Sequence, residues 1–408
     1  MTERRVILAL VAIFGFGYTF HWLWLIYDAI CLGAALHVLG PRVSPELRRL
    51  AGWCVVLIVG WCATSAYLHG ASWFWALAIW DTLKHVFLWL YLLRGRYEHR
   101  ATRSFIASDE LYRFAGVAFV ANAAFALYQA ATGEIADNVA GFFGPGATHS
   151  FGYFMILYFF LAYQRGERTV RLVAILAIAA LVALVSESMG FFILLPLWAV
   201  AAVIKSGRAT RSLAAGAIAI VVIGGVFAYT QPEFVDSLAS RVITVIQPEE
   251  PPSPDKPING RGTATAYAAL VGGWTGEGPG TYSLIYGMEG SGAWLLDVVQ
   301  IDISELSHLL AEWGGLGVGF VIGLFGLLYA TLRVQPLKRL LLFALFLATL
   351  MHGQLLMDER LIFFEMLTVL CLLDRNPAPP PQRNQDPRDT DREPTGQSHH
   401  DEVAPVRA

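Results

Sequence analysis

Charge is what this chain has least of. Of its 408 residues, 15% are Asp, Glu, Lys or Arg and 56% are hydrophobic, whereas soluble domains hold about 25% charged residues. That imbalance excludes a single large soluble α-domain and points to a bilayer as the solvent. Cysteine is also sparse. Cys31, Cys54, Cys62 and Cys371 all fall inside apolar runs, with no CxxC or Cys/His ligand spacing, which excludes a disulfide frame and a zinc site. The net charge of -3 carries little information, because in a membrane protein charge matters by side and not in sum.

What the chain does have is apolar runs of nearly twenty residues along most of its length. The spacing predicts spans at 6–20, 22–39, 52–68, 73–93, 108–131, 148–163, 170–185, 188–204, 212–230, 306–332, 339–355 and 360–374. By the length criterion that is about twelve helices, with the first pair close enough to form one long helix. The opening "MTERRVILALVAIFGFG" is basic and then apolar. No small-residue cleavage pattern precedes the next run, so it reads as a retained helix and not a signal peptide. The fold class expected is an all-α integral membrane protein with one large periplasmic loop between helices nine and ten. The organisation expected is an amino-terminal transmembrane bundle over 1–230, that loop over 231–305, carboxy-terminal helices over 306–374, and a Pro-rich, charged, disordered tail over 375–408.

Basic residues sort by side. Arg4 and Arg5, Arg42 to Arg49, Arg94 to Arg103, Arg165 to Arg171, Lys205 to Arg211, and Arg333 to Arg339 occupy alternate loops. The positive-inside rule makes these loops and both termini cytoplasmic. On the opposite face stand Arg241, Lys256, Arg261 and Arg360, three of them in the 231–305 segment. Its start, "QPEEPPSPDKP", reads as an extended connector, and the part after Ile258 holds enough apolar residues to fold back on the membrane. Long ordered loops are usually functional. A guanidinium on the side where cations are scarce suits an anionic ligand, because it pairs with phosphate oxygens in bidentate fashion. Gly276, Gly278 and Gly280 would admit a bulky ligand to the backbone and its N–H groups, although without a preceding strand they form no nucleotide fingerprint. The plainer role for Arg261 is an ion pair with Glu277 or Glu289.

Two intramembrane groups stand out. "WDTLKHVFLW" sets Asp81, Lys84 and His85 on one helical face, either as a self-satisfied structural pair or as a proton or ligand site. His149, His308 and His352 lie near helix ends. His308 differs from the other two because Glu305 and Glu312 flank it at i−3 and i+4, where a carboxylate tunes an imidazole as base.

The order of these pieces resembles the O-antigen ligase and O-antigen (exopolysaccharide) polymerase superfamily of bacterial membrane glycosyltransferases. The matching stretches are Arg241, then Arg261 and Tyr267, then "GEGPGTYS", then "SELSHLLAEWGGLG"; a further external-loop match is "NVAGFFGPGATHSFGYFM" and a weaker one "SESMGFFILL". The likeness covers most of residues 50–373. Asn138 and Ser188-Met189 stand where the family often has arginines, and His308 falls a little over a turn later than the family's His-Asn, whose place is near Ile303 and Ser304, with Asp302 adjacent. The resemblance implies a metal-independent, cofactor-free transferase of the bacterial inner membrane. Its donor would be a polyprenyl-pyrophosphate-linked glycan and its acceptor a glycan or lipid A-core. Membrane lipids and polysaccharide-export proteins would be its partners, and nucleic acid would not. Arg241, Arg261 and Arg360 would hold pyrophosphate. Asp302, Glu305 or His308 would be the base. Gly276, Gly278, Gly280, Tyr267 and His149 would line the glycan and lipid. Two other readings remain at this level: a secondary transporter using Asp81, Lys84 and His85, and a non-catalytic envelope-assembly protein.

Overall fold

A computed structural model describes residues 3–16, 23–69, 74–97, 109–135, 138–144, 147–186, 261–278, 304–331, 336–352 and 359–373. Among the described residues all regular structure is helical, with no strand. The eleven α-helices are α1 (Glu3–Phe16), α2 (Leu23–Leu39), α3 (Pro45–His69), α4 (Phe74–Tyr97), α5 (Asp109–Ala131), α6 (Thr148–Gln164), α7 (Thr169–Val185), α8 (Arg261–Gly272), α9 (Glu305–Thr331), α10 (Pro336–His352) and α11 (Glu359–Leu373), with a 3-10 turn at Gly141–Phe143. The expected spans at 188–204 and 212–230 lie outside the described residues, as do 231–260, 279–303 and the tail. Stretches within α3, α5 and α9 are long and apolar enough to cross a membrane.

Local chemistry sets several boundaries. α3 begins seven residues before the expected 52 because "SPEL" is a strong start. The Ser44 hydroxyl accepts the Leu47 N–H at 3.3 Å, Pro45 takes the first helical position, and Glu46 lies in the first turn. α1 and α2 are separate helices. α3 leaves Trp53 (65%), Val56 and Leu57 exposed, a surface suited to lipid and unfavourable in water.

α6 and α11 form the centre, packed along one another and buried for almost their full length. Phe154 meets Phe364 with ring centroids 5.1 Å apart, and Phe14 of α1 meets Phe363 at 5.5 Å. Tilted aromatic pairs of this kind add about 0.5–1.5 kcal/mol beyond area burial.

The two ends of the bundle differ chemically. At one, where α1, α5 and α7 begin and α6 ends, arginines meet carboxylates: Arg4 with Glu110, Arg165 with Asp109, and Arg171 with Glu167 at 3.1 Å. Arg165 also lies over the Tyr112 ring at 4.9 Å. The other end, where α6, α9 and α11 begin and α10 finishes, holds buried polar side chains.

Candidate functional site

α9 opens on a reciprocal cap. Ser304 Oγ accepts the Ser307 N–H at 3.2 Å, and Ser307 Oγ accepts the Ser304 N–H at 3.0 Å. This is the capping-box arrangement with serine in the place usually taken by Glu or Gln. The cap fixes the register that puts Glu305, His308 and Glu312 on one face. All three are buried, at 1%, 1% and 2% exposure. His308 Nδ1 lies 3.5 Å from Glu305 Oε1, and Nε2 lies 3.2 Å from Glu312 Oε2. Each ring nitrogen therefore faces its own carboxylate, which gathers three titratable side chains in a dry environment.

Two residues after Glu312 the helix breaks. Gly314 has φ 64° and ψ −167°, a conformation essentially reserved for glycine. In an unbroken helix Gly315 and Leu316 would donate to Ala311 and Glu312. Instead Gly315 N–H donates to Gly273 O at 2.9 Å and Leu316 N–H to Trp274 O at 3.1 Å, while Glu277 N–H donates to Ala311 O at 2.8 Å and Gly278 N–H to Glu312 O at 3.1 Å. The turn after α8 thus supplies partners to these four backbone groups. At membrane depth each such group left alone costs several kcal/mol. A Cβ on Gly276 would overlap the Glu312 carbonyl and the Trp313 nitrogen, and one on Gly272 would overlap the Leu310 carbonyl. These glycines permit helix backbone and turn backbone to touch. Trp61 of α3 ties the junction, donating Nε1–H to Thr275 O at 3.2 Å with its ring 6.2 Å from that of Trp313.

The remaining expected site residues are placed as follows. Gly276 and Gly278 lie in this turn, and both their N–H groups are donated within the protein. Arg261 opens α8 and Tyr267 lies within it; the side chains of both fall outside the described residues, as do Arg241, Asp302 and Gly280. His149 stands half-buried in the first turn of α6. Arg360 donates to the Phe143 carbonyl at 2.9 Å. That carbonyl belongs to a loop clamped by Asn122, whose Oδ1 accepts the Phe142 N–H at 2.8 Å and whose Nδ2 donates to Gly15 O at 2.8 Å. The structure brings Glu305 and His308 together and sets Glu312 beside them.

Of the intramembrane trio, the Asp81 side chain is outside the described residues. Lys84 pairs with Glu359 of α11 at 2.9 Å and Asp28 of α2 at 3.3 Å, and His85 Nδ1 is 2.8 Å from the Tyr27 hydroxyl. These partners come from other helices, so helical spacing gave no sign of them. Also missed were Tyr153 of α6, Thr349 of α10 and Glu365 of α11, a buried polar chain next to Glu305. The one sequence signal was a lone acid inside "LIFFEMLTVL". Among the described residues no group of three or more His, Cys, Asp or Glu is arranged to hold a metal ion. No family model matches the sequence, and no curated protein matches it significantly.

Proposed function

We propose that the protein is a membrane glycosyltransferase that polymerises or ligates polyprenyl-pyrophosphate-linked glycans at the periplasmic face of a bacterial inner membrane. The observation that carries this reading is the Glu305–His308–Glu312 group, an imidazole held between two carboxylates on a capped, broken helix. Transfer of a glycosyl group needs one proton acceptor for the incoming hydroxyl and positive charge on the departing diphosphate. His308, oriented by Glu305, is the proton acceptor. Arg360, at the same end of the bundle, is one source of charge, and Arg241 and Arg261 are the others by position in the sequence. The acceptor oxygen bonds the anomeric carbon as its proton passes to the base, and the carbon–oxygen bond to diphosphate breaks with its electron pair on the leaving group. The imidazole is enclosed, at 1% exposure, so base catalysis requires the site to open to the acceptor hydroxyl.

A transporter centred on Lys84 is less well supported, because that ammonium is already neutralised by two carboxylates from neighbouring helices. The test is surface polysaccharide in a deletion strain complemented with wild type or with Arg261→Ala. Loss of long chains indicates a polymerase, loss of attachment to lipid A indicates a ligase, and unchanged glycan in the deletion strain overturns the reading.

A further inference from the structure

Between Asp28 and Asp81 the sequence holds three arginines, no lysine and one carboxylate, and all four of these charges lie between positions 42 and 49. Arg42 stands in the turn after α2, and Glu46, Arg48 and Arg49 stand at the opening of α3; all are exposed. Elsewhere Arg4, Arg113, Arg165 and Arg171 each face a carboxylate. The side chains of Arg42, Arg48 and Arg49 make no ion pair, hydrogen bond or ring contact with any described residue. Glu46, the one acid in the stretch, is paired with none of them.

The helix below these arginines has two distinct faces. Leu47, Ala51 and Cys62 are buried, and Val55 and Ile58 pack between them against the core, on the side of α2 and α4. On the opposite side Arg49, Trp53, Val56 and Gly60 follow at i, i+4, i+7 and i+11, all exposed, with Leu57 beside them. A Cβ on Gly60 would meet nothing. Pro45–Leu68 is long and apolar enough to span a bilayer, so its opening turns stand at headgroup depth. Trp53 lies about 6 Å below Arg49 along the axis and Val56 about 10 Å below it. The stripe therefore runs from guanidinium to indole to aliphatic carbon, the order in which a phospholipid presents phosphate, ester and chain. Guanidinium pairs well with phosphate oxygens, and tryptophan favours the boundary between headgroups and chains. A second copy of the chain fits less well, because a two-fold contact along this stripe would set Arg49 against Arg49.

We propose that this face of α3 is a binding site for an anionic phospholipid. Arg49, with Arg42 and Arg48 on either side, takes the headgroup phosphate; Trp53 lies at the level of the esters; and an acyl chain runs over Val56, Leu57 and the bare surface at Gly60. Three guanidiniums outweigh the single carboxylate of Glu46, so the site selects a headgroup of net negative charge. A zwitterionic headgroup brings its own cation beside the arginines and gains less. The site is independent of the transferase reading and of the side of the membrane on which α3 begins.

The experiment titrates the purified full-length chain in detergent with phosphatidylglycerol or phosphatidylcholine and counts the lipids retained per chain by native mass spectrometry. Phosphatidylglycerol is expected to bind about tenfold more tightly than phosphatidylcholine, and Arg49→Gln to weaken it about fivefold. Arg42→Gln, Arg48→Gln and Arg49→Gln together should abolish the preference. Arg113→Gln, Arg168→Gln and Arg171→Gln together, which remove the same charge from another part of the protein, should leave it intact. Trp53→Ala should weaken retention of both lipids with the charge unchanged. All the substituted side chains are exposed, and an unfolding midpoint measured without lipid confirms that each variant is folded. Equal retention of the two lipids, or equal loss in the two triple variants, overturns the proposal, the latter because it shows a diffuse charge effect and no site. Displacement of phosphatidylglycerol by millimolar inorganic phosphate overturns it as well, since an anion site without a chain groove would then suffice. So does a dimer in the wild type that Trp53→Ala dissolves, which would make the face a contact between copies.

Discussion

Gly315 gives its backbone proton to Gly273, 42 positions earlier in the chain, and not to Ala311 one turn back in its own helix. The carboxylate–histidine group thus sits on a helix whose break is completed by another element. Disturbance of the α8 turn is transmitted directly to Glu312, whose carbonyl is one of the four groups served.

Gly276→Ala is expected to be severely destabilising. The added methyl overlaps the Glu312 carbonyl and the residue holds φ +73°, so about 1–2 kcal/mol of backbone strain adds to about 1–3 kcal/mol for each backbone group left without a partner. Gly319→Ala, in the same helix as Glu312 with open space around the new methyl, is expected to be neutral or slightly stabilising. Thermal unfolding midpoints of the two variants in detergent check this, and equal midpoints would remove the close approach as the reason for the glycine.

Sequence reading found this region without finding its geometry. The run of glycines was visible, and so was the i−3, i+4 flanking of His308, because both are local patterns. What the glycines touch was not visible, since Gly276 and Glu312 meet only after α8 has folded back along α9. The same limit applies to Lys84. Its burial followed from its place in an apolar run, but Asp28 and Glu359 belong to helices distant in sequence. The long apolar helices among the described residues were legible because bilayer-length runs are a one-dimensional signal, whereas α8, inside the expected 231–305 loop, was not. The break at Gly314 was not, because "AEWGGLGVG" continues the apolar run without interruption.

Lys84→Met is expected to lower stability, by up to roughly 3 kcal/mol, because breaking one side of a buried ion pair leaves an uncompensated charge. Here the charges left behind are Glu359, partly buried, and Asp28, whose side chain is half-exposed. Lys84→Met combined with Glu359→Gln should recover most of the loss. A double-mutant cycle on unfolding in denaturant measures the coupling, and strict additivity would show that the pair contributes nothing.

Asn122→Ala should loosen the loop that receives Arg360. The substitution removes the acceptor of the Phe142 N–H and the donor to Gly15, at about 1–3 kcal/mol for each buried group left unpaired. Backbone exchange at Phe142 and Phe143 is expected to accelerate, while exchange within α7, which lies apart from this contact, stays as in the wild type. Unchanged exchange at Phe142 would contradict the clamp.

His308→Ala is expected to reduce glycan transfer far more than His352→Ala, by a factor on the order of a hundred or more if His308 is the general base. Glu312→Gln should fall between them, since it preserves shape and removes only charge. Glycan length and linkage in complemented cells provide the readout, with membrane insertion checked separately. Equal effects of His308→Ala and His352→Ala would take His308 out of the site.

The side on which all this chemistry takes place is also testable, and the transferase reading requires a particular answer. Glu134 follows α5 and Arg168 precedes α7, both exposed, at opposite ends of the bundle. By the positive-inside rule the arginine-rich end is expected in the cytoplasm, and Glu134 and the amino-terminal turn of α9 are then expected outside. In a Cys54→Ser background, with Cys31, Cys62 and Cys371 buried, a membrane-impermeant maleimide should label Glu134→Cys in intact spheroplasts and Arg168→Cys only after lysis. The reverse pattern would put the Glu305–His308–Glu312 group on the cytoplasmic side. There, flipped polyprenyl-diphosphate donors would not meet it.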